Sequence, residues 1–255
     1  MAQQRRFTVW SIGLLAVCFG LIALWSLPRP VATARSHDAQ SQIKALLDRV
    51  QELEAKLACM TKDGDNVVFE KCNVYIRSGS GKTDGEVNGL GNLIIGYNES
   101  SGESIKRTGS HNLVIGPEHA YASFGGLVAG RENTLGAPHA SVTAGRLNTA
   151  SGIGASVSGG SVNTASNDFA SVSGGKSNEV KGLNASVSGG TSNTAQGDFA
   201  GVTGGSDNAA NGFASSVSGG SGNVATGNYA SVSGGKRRDA TAHDSWRGGN
   251  LLETN

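Results

Sequence analysis

Short stretches with potentially reactive residues occur in the first third of the chain, but none completes the motif it resembles. Residues 79–83 read Gly-Ser-Gly-Lys-Thr, like the end of a phosphate-binding loop. Ile76 stands where that loop requires its first glycine, and no helical pattern follows. Asp63 and Asp65 begin like a calcium-binding loop, but Val67 and a missing glycine interrupt it. The sequence therefore predicts neither a nucleotide site nor a calcium site here.

The histidines and serines also lack the spacing of a metal site or a catalytic triad. The five histidines are His37, His111, His119, His139 and His243. A cluster of the middle three on neighbouring repeats is one interpretation, and isolated surface or corner positions are the simpler one. Serine recurs as part of a repeat rather than beside a histidine and an acid. We therefore expect no catalytic residue, no metal ligand and no cofactor, and the chain is predicted not to be an enzyme.

The composition restricts the elements that position these residues. The chain has 39 glycines, 4 prolines, 5% aromatic residues and a formal net charge of +1. So much glycine without a third-residue period is not collagen, and the balanced charge differs from that of a typical disordered tail. The lack of a basic excess argues against nucleic acid as a partner. Low-complexity disorder or a repeat architecture remains, and periodicity separates the two.

Residues 1–34 are typical of a targeting segment. Two arginines precede an apolar run over residues 10–27, two prolines end it, and Ala-Thr-Ala follows, ending at Ala34. This order predicts a signal peptide cleaved after Ala34. The run of about 18 residues is also nearly long enough to span a bilayer, so an uncleaved signal anchor is the alternative. In both cases the rest of the chain is expected outside the cytoplasm, at the cell surface or secreted.

A linker and an amphipathic helix are predicted over residues 35–60. The apolar positions of the helix alternate spacings of three and four: Ile43, Leu46, Val50, Leu53, Leu57 and Met60. This is the a/d seam of a coiled coil, and so short a helix needs a partner. β-Branched residues at a with leucine at d favour two strands, so the seam alone does not predict a trimer. The alternative is a helix packed on its own domain, although nothing nearby offers a large apolar face.

Cys59 and Cys72 are the only cysteines left after removal of the leader. In an oxidising compartment a disulfide between them is expected, at the start of a neck over residues 61–87. Closing a loop of that size contributes on the order of 3 kcal/mol. Free thiols or bonds between chains are the alternatives.

From about residue 88 the chain repeats with a period of fifteen residues. One row of the repeat is asparagine: Asn133, Asn148, Asn163, Asn178, Asn193, Asn208 and Asn223. Another row is valine: Val142, Val157, Val172, Val187, Val202, Val217 and Val232. A disordered tract has no reason to keep this phase through seven copies. Fifteen residues are too few for a βαβ unit but enough for one coil of a narrow β-solenoid.

Each repeat contains two short extended runs separated by glycine turns. In residues 170–173, Ala-Ser-Val-Ser, the alternation predicts apolar side chains inside and hydroxyls outside. The asparagines are expected to stack as a ladder of side-chain hydrogen bonds. A further row contains Gly152 and Gly182 but Asn167 in one copy, which predicts a positive φ because asparagine best replaces glycine there.

The core of such a solenoid is expected to be thin. Each coil points one valine and two alanine-sized groups inward, joined in some coils by a larger side chain. These larger side chains are Phe169, Leu183, Phe199, Phe213 and Tyr229. Burial at about 25 cal/mol per Å² hardly offsets about 1–2 kcal/mol of backbone entropy per residue, so a cap or a partner is expected.

Residues 92–96 and 112–116, with the later Ala-Ser-Val-Ser-Gly-Gly repeats, resemble the heads of YadA-type trimeric autotransporter adhesins. The first two segments read Asn-Leu-Ile-Ile-Gly and Asn-Leu-Val-Ile-Gly. The resemblance covers about residues 88–250 and implies a left-handed parallel β-roll, a homotrimer and a coiled-coil stalk. The fifteen-residue repeat with Ser-Gly-Gly, a coiled coil before the head and no C-terminal membrane barrel differ from the family. An N-terminal anchor or secretion is therefore expected.

The expected fold is all-β: a parallel, left-handed β-solenoid of fifteen-residue coils after a short coiled-coil helix, assembled as a trimer. The solenoid is expected over residues 88–235 and a C-terminal cap over 236–255, where Arg247 replaces a valine of the repeat.

The predicted function is a non-enzymatic surface or secreted adhesin-like module. The expected partners are other copies of the chain and an extracellular-matrix, glycan or cell-surface ligand, with membrane contact only through residues 1–34 if they remain. A ligand-free spacer is one alternative. An ice- or crystal-binding solenoid is the other, with paired hydroxyls at Ser171/Ser173, Ser186/Ser188, Ser216/Ser218 and Ser231/Ser233 and an interruption at Gly201/Thr203.

Overall fold

The computed structural model describes residues 30–100 and 105–248. They fall into two compact units, one ending at Val74 and the other beginning at Tyr75. Most of the predicted signal peptide, residues 1–29, lies outside the described residues.

In its described residues, 30–74, the first unit consists of one helix and one β-hairpin. Helix α1 (Pro30–Lys56) begins with proline, whose fixed φ and missing N–H suit the first helical position. The hairpin pairs β1 (Met60–Asp63) with β2 (Asn66–Phe69) through a two-residue turn at Gly64 and Asp65. Gly64 takes a positive φ of 56°, as such hairpin turns require.

The predicted seam belongs to α1 only in part. Ile43, Leu46, Val50 and Leu53 lie on the helix and are exposed in the single chain, while Leu57 follows its last residue. Met60 was placed in the seam wrongly, because it is the first residue of β1. The amide of Met60 donates to the carbonyl of Leu57 in a turn, and this turn ends the helical path before a third heptad is complete.

Cys59 and Cys72 are joined by a disulfide, with their Cα atoms 6.0 Å apart. Cys59 immediately precedes β1, and Cys72 lies three residues after the end of β2. The amide of Glu70 donates to the carbonyl of Cys59 at 2.9 Å. The disulfide therefore closes the base of the hairpin, where two short, exposed strands have little other support.

The second unit is a parallel β-solenoid in which successive strands alternate between two sheets. Sheet 1 has eleven strands: β3 (Leu93–Ile95), β4 (Leu113–Ile115), β6 (Leu127–Ala129), β8 (Ser141–Val142), β10 (Ser156–Val157), β12 (Ser171–Val172), β14 (Ser186–Val187), β16 (Gly201–Val202), β18 (Ser216–Val217), β20 (Ser231–Val232) and β22 (Trp246–Arg247). Sheet 2 has nine: β5 (Ala120–Tyr121), β7 (Thr134–Leu135), β9 (Thr149–Ala150), β11 (Thr164–Ala165), β13 (Glu179–Val180), β15 (Thr194–Ala195), β17 (Ala209–Ala210), β19 (Val224–Ala225) and β21 (Asp239–Ala240). The parallel solenoid with fifteen-residue coils is confirmed.

The strand register follows the repeat. Val157 pairs with Val172, fifteen residues away, and the same step continues to β22. The first coils differ, because Leu93 pairs with Leu113 across a longer loop and Leu113 pairs with Leu127 after only fourteen residues. Rows that are fifteen apart in later coils are therefore out of phase at the start of the solenoid.

The interior of most coils is filled by one asparagine, two alanines and one valine. In one coil these are Asn163, Ala165, Ala170 and Val172, all fully buried. In other coils, Leu135, Val180 and Ser215 each replace one alanine. In coils whose inward positions hold only these small side chains, no aromatic ring fits between the sheets. The first coils differ, because Tyr121 is buried in the core there and pairs in register with Leu135.

The larger side chains predicted to join the core lie outside it. Phe169, Phe199, Phe213 and Tyr229 are 59%, 53%, 39% and 53% exposed, and Leu183 is half-buried. All five belong to the turn that leads from sheet 2 to sheet 1. The prediction failed because apolar character alone does not show on which side of a turn a side chain projects.

The glycine row that includes Gly152 was also interpreted wrongly. Gly152 does not have a positive φ; a Cβ atom there would lie 1.9 Å from the carbonyl oxygen of Asn167 in the next coil. The positive φ occurs two positions later, at Gly154 and Phe169. Glycine is therefore favoured in this row because neighbouring coils stack too closely to leave space for a Cβ atom. A left-handed backbone conformation is not the reason.

Candidate functional surfaces

The asparagine row forms a buried ladder that connects side chains to the main chain. The backbone N–H of Asn178 donates to Oδ1 of Asn163 at 3.0 Å, and Asn193 donates in the same way to Asn178. Nδ2 of Asn178 donates to the carbonyl of Gly174 in its own coil at 2.9 Å and to that of Gly190 in the next at 3.1 Å. Through its side chain and its backbone N–H together, each asparagine therefore links three successive coils.

This ladder satisfies polar groups that the sheets do not pair. Buried amides and carbonyls without partners cost about 1–3 kcal/mol each. Asn178 pairs two such groups, the carbonyl of Gly174 and the N–H of Asn193. It adds a second hydrogen bond to the carbonyl of Gly190, which also accepts from the N–H of Lys176. The sequence predicted side-chain hydrogen bonds along this row. In the structure, the asparagine side chains form these hydrogen bonds with backbone N–H and carbonyl groups instead. The row therefore fixes the distance between neighbouring coils.

His119 occupies the asparagine position of the first complete coil. Its Nδ1 accepts from the backbone N–H of Asn133 at 3.2 Å, and its Nε2 lies 3.0 Å from the carbonyl of Ile115. The ring is fully buried. This geometry requires the neutral ring with its proton on Nε2, and burial lowers the pKa of His119 below 6.5. Sequence reasoning missed the position because the step to Asn133 is fourteen residues.

The other two histidines of the suggested cluster lie in different surroundings. Nε2 of His111 accepts from the backbone N–H of Ser78 at 3.1 Å, and its Nδ1 lies 3.2 Å from the carbonyl of Thr83. The ring of His139 packs edge-on against Phe124, with centroids 5.4 Å apart. Among residues 30–100 and 105–248, no group of three or more His, Cys, Asp or Glu side chains is arranged to hold a metal ion.

The Gly-Ser-Gly-Lys-Thr loop surrounds an open cavity of about 440 Å³, which residues 75–83 and His111 line. The hydroxyl of Ser80 donates to the carbonyl of Lys82 at 2.8 Å, and the hydroxyls of Ser78 and Ser80 contact each other at 2.8 Å. A non-helical segment follows the loop. The loop therefore lacks the helix N-terminus on which a phosphate-binding loop depends.

The outer face of sheet 1 carries two parallel columns of small polar residues. The first is Ser141, Ser156, Ser171, Ser186, Gly201, Ser216 and Ser231, and the second is Thr143, Ser158, Ser173, Ser188, Thr203, Ser218 and Ser233. The valine between the two columns is buried in every one of these coils, as the alternation predicts. We call this surface the hydroxyl face.

An apolar edge runs along the turns from sheet 2 to sheet 1. We call it the aromatic ridge, and it consists of Ile153, Phe169, Leu183, Phe199, Phe213 and Tyr229. The rings of Phe199 and Phe213, and those of Phe213 and Tyr229, have centroids 5.5 Å apart with interplanar angles of 69° and 75°. Edge-to-face contacts of this kind favour a fixed arrangement of the rings.

The ridge alternates with a period of two coils. Ile153, Leu183 and Phe213 occupy the first position of the turn, whereas Phe169, Phe199 and Tyr229 occupy the second. The partner position in each coil holds a short residue: Gly154, Asp168, Asn184, Asp198, Ala214 and Asn228. This thirty-residue period is present in the sequence, but it is not apparent when the residues are aligned in rows of fifteen.

The short acidic residues of the ridge bind the preceding coil. Oδ1 of Asp168 accepts from the backbone N–H of Ile153 at 2.8 Å, and Oδ1 of Asp198 accepts from that of Leu183 at 2.9 Å. These hydrogen bonds connect every second turn to the turn of the preceding coil. The large side chain of the ridge occupies the other position of the turn in these coils.

At the opposite edge, ion pairs connect the first coils. Glu118 accepts from Nε of Arg131 at 2.9 Å, and Glu132 accepts from Nε of Arg146 at 2.7 Å. The hydrogen bond from Arg146 lowers the pKa of Glu132. Exposed pairs like these contribute little individually.

Comparison with known proteins adds no relative. No protein-family model matches the chain, and no curated protein matches it. Within the described residues, the structure has no helix that is long and apolar enough to cross a membrane.

Proposed function

We propose that the chain is a non-enzymatic, exported structural module that presents a rigid, repetitive surface for adhesion. The observation that carries this proposal is the constant register of Ser156, Ser171 and Ser186, which places identical groups at each coil along one face. At the spacing of neighbouring strands, about 4.8 Å, such an array offers many weak contacts in a row. Many weak contacts in a fixed geometry suit a repetitive ligand.

Self-association completes this proposal. The a/d residues of α1 are exposed in the single chain and suit a coiled coil. The resemblance to YadA-type heads supports a left-handed roll with three parallel copies. Signal-directed export through residues 1–34, or anchoring by them, brings the module to the cell surface or the medium.

Binding to immobilised extracellular-matrix proteins, glycans and whole cells tests the adhesive role, with light scattering to give the mass of the same sample. We expect saturable binding by an assembly of three chains. Replacing Ser173 and Ser188 with lysine should weaken that binding if the hydroxyl face makes the contact. Replacing Ser177 and Ser192 on the opposite edge with lysine is the matched control. An assembly that binds none of these targets would favour the ligand-free spacer.

An ice- or crystal-binding solenoid is the second candidate, because the hydroxyl face is an ordered two-column array. Gly201 interrupts the first column, and threonine occupies only two positions of the second, which count against it. An ice-recrystallisation assay separates the two functions. If the protein inhibits ice recrystallisation and the same serine-to-lysine changes abolish that inhibition, crystal binding would replace adhesion as the proposed function.

A further inference from the structure

We infer that the aromatic ridge is the surface through which copies of this chain associate in parallel, with the ridges meeting at the symmetry axis. This inference rests on the self-association in the proposed function and assigns it to a surface. Between residues 136 and 248, the exposed large hydrophobic side chains are Leu147, Ile153, Val162, Phe169, Phe199, Phe213, Tyr229 and Trp246. Five of these eight belong to the ridge, so it is the largest apolar feature of these coils.

The alternation of the ridge makes it complementary to itself. Around an axis parallel to the solenoid, the second ridge position of one copy lies beside the first position of the next at the same level. Phe199 then faces Asp198 of the neighbour, and Tyr229 faces Asn228. In the coil between them, Phe213 faces Ala214. Each coil thus sets one large side chain against one short one, and aspartates do not face each other.

The spacing of the large side chains along the solenoid axis also favours a second copy of the chain as the partner that covers the ridge. The ridge presents one large side chain per coil, at the strand spacing of about 4.8 Å. A second copy in parallel register has the same spacing over the whole length. Flat ligands that stack on rings need coplanar faces, whereas Phe199, Phe213 and Tyr229 stand at 69° and 75° to their neighbours.

The exposed apolar area of the ridge is large enough to contribute to assembly, but it is too small to form a strong interface by itself. A buried aromatic side chain covers about 150–250 Å², so four rings that are roughly half exposed offer about 400 Å² per copy. A stable interface buries about 800 Å² per partner. The short ridge residues and the adjoining turns supply part of the remainder, and the exposed seam of α1 supplies a further contact between copies.

The test replaces Ala214 with aspartate in the full chain and measures mass by sedimentation at several concentrations. The matched control is Ser192→Asp on the opposite edge. Ala214 and Ser192 both have positive φ, and Asp244 and Asp207 occupy the same two rows with φ of 57° and 58°, so the fold accepts both changes. We expect A214D to weaken self-association about tenfold or more, because its charge faces a neighbour's ring, and S192D to leave it unchanged.

A second measurement is needed if contacts through α1 alone hold the copies together, because the mass of the assembly would then not report on the ridge. Hydroxyl-radical footprinting with mass spectrometry compares Tyr229 with Trp246, which are 53% and 56% exposed in the single chain. We expect several-fold protection of Tyr229 in the wild-type assembly and loss of that protection in A214D, with Trp246 unchanged. An assembly whose Tyr229 is labelled as in A214D would overturn the ridge as the interface but leave self-association standing. A monomeric wild-type chain would overturn both.

Discussion

At the scale of single residues, the solenoid depends on a side chain that is rarely buried. Asparagine succeeds in the core because its one acceptor and two donors meet three backbone groups, two of which have no other backbone partner. Asn178 shows the set: its Oδ1 accepts from Asn193, and its Nδ2 donates to Gly174 and Gly190. Valine or alanine would fit the volume but leave the carbonyl of Gly174 and the N–H of Asn193 without partners.

The first prediction removes the donors of one rung and keeps its shape. In Asn178→Asp, a carboxylate faces two carbonyls, and we expect a loss on the order of 3 kcal/mol in the free energy of unfolding at pH 7. Burial raises the pKa of the new carboxyl, so part of the loss should return as the pH falls and the group becomes a donor. Urea unfolding followed by circular dichroism at pH 7 and pH 4 measures both effects. Gln196→Glu, at an exposed position outside both the ladder and the aromatic ridge, should change little; an equal loss there would contradict the role of the ladder.

The second prediction concerns His119. Because burial lowers its pKa in the folded chain below the ordinary 6.5, the unfolded chain binds more protons between those two values. Stability of the first coils should therefore fall as the pH drops below about 6.5. Hydrogen exchange of the Asn133 amide, which donates to the ring, reports this locally. His119→Asn should reduce the pH dependence, whereas an unchanged dependence would assign it to another group.

At the scale of one coil, the two glycines of each Gly-Gly turn have different functions. Gly190 has a φ of 89°, and a Cβ atom there would lie 2.2 Å from the carbonyl oxygen of Gly205. Gly189 has nothing within 4 Å of its own Cβ position. Ala144 occupies the position of Gly189 in an earlier coil, where its carbonyl likewise accepts from an asparagine of the ladder. Only the second glycine is therefore a requirement of stacking.

The third prediction uses this pair as a matched test. Gly190→Ala should reduce the free energy of unfolding by about 3 kcal/mol or more, because strain and contact with the next coil add. Gly189→Ala should change it by less than about 0.5 kcal/mol. Chemical denaturation of both variants provides the comparison. Equal effects would mean that the backbone at this turn relaxes freely.

At the scale of the whole molecule, the solenoid is a one-dimensional stack in which each coil contacts only its neighbours. Its two ends differ. The valine row begins with Ile94, which is exposed at the first strand, and ends with the exposed Arg247. A charged residue at the last position of the core row disfavours end-to-end pairing at that end.

The fourth prediction tests the stack by deletion. Removing residues 178–192 takes out one whole coil and connects Ser177 to Asn193 in phase, so the ladder and the valine row continue. We expect a folded chain with one cooperative transition and a slightly lower Tm. Removing residues 178–184 instead places Ser192, Thr194 and Asp207 at buried positions. It also moves Asn193 and Ala195 out of the core. The β signal in circular dichroism should then largely disappear. If the first deletion unfolds the chain, the coils are not independent units.

The sequence by itself determined the period of the solenoid and the residues that fill it. A fifteen-residue repeat of asparagine, alanine and valine leaves few ways to bury apolar groups, so the parallel stack and its inward rows follow from spacing alone. Other features depend on how coils meet. The positive φ at Phe169, the contact that excludes a Cβ at Gly152, and the exposure of the aromatic ridge were decided only by tertiary structure. His119 joined the ladder because the early coils shift phase by one residue, which no row of fifteen reveals. Spacing along the chain fixes which residues recur, but only the approach of one coil to the next fixes the side of the backbone on which each one lies.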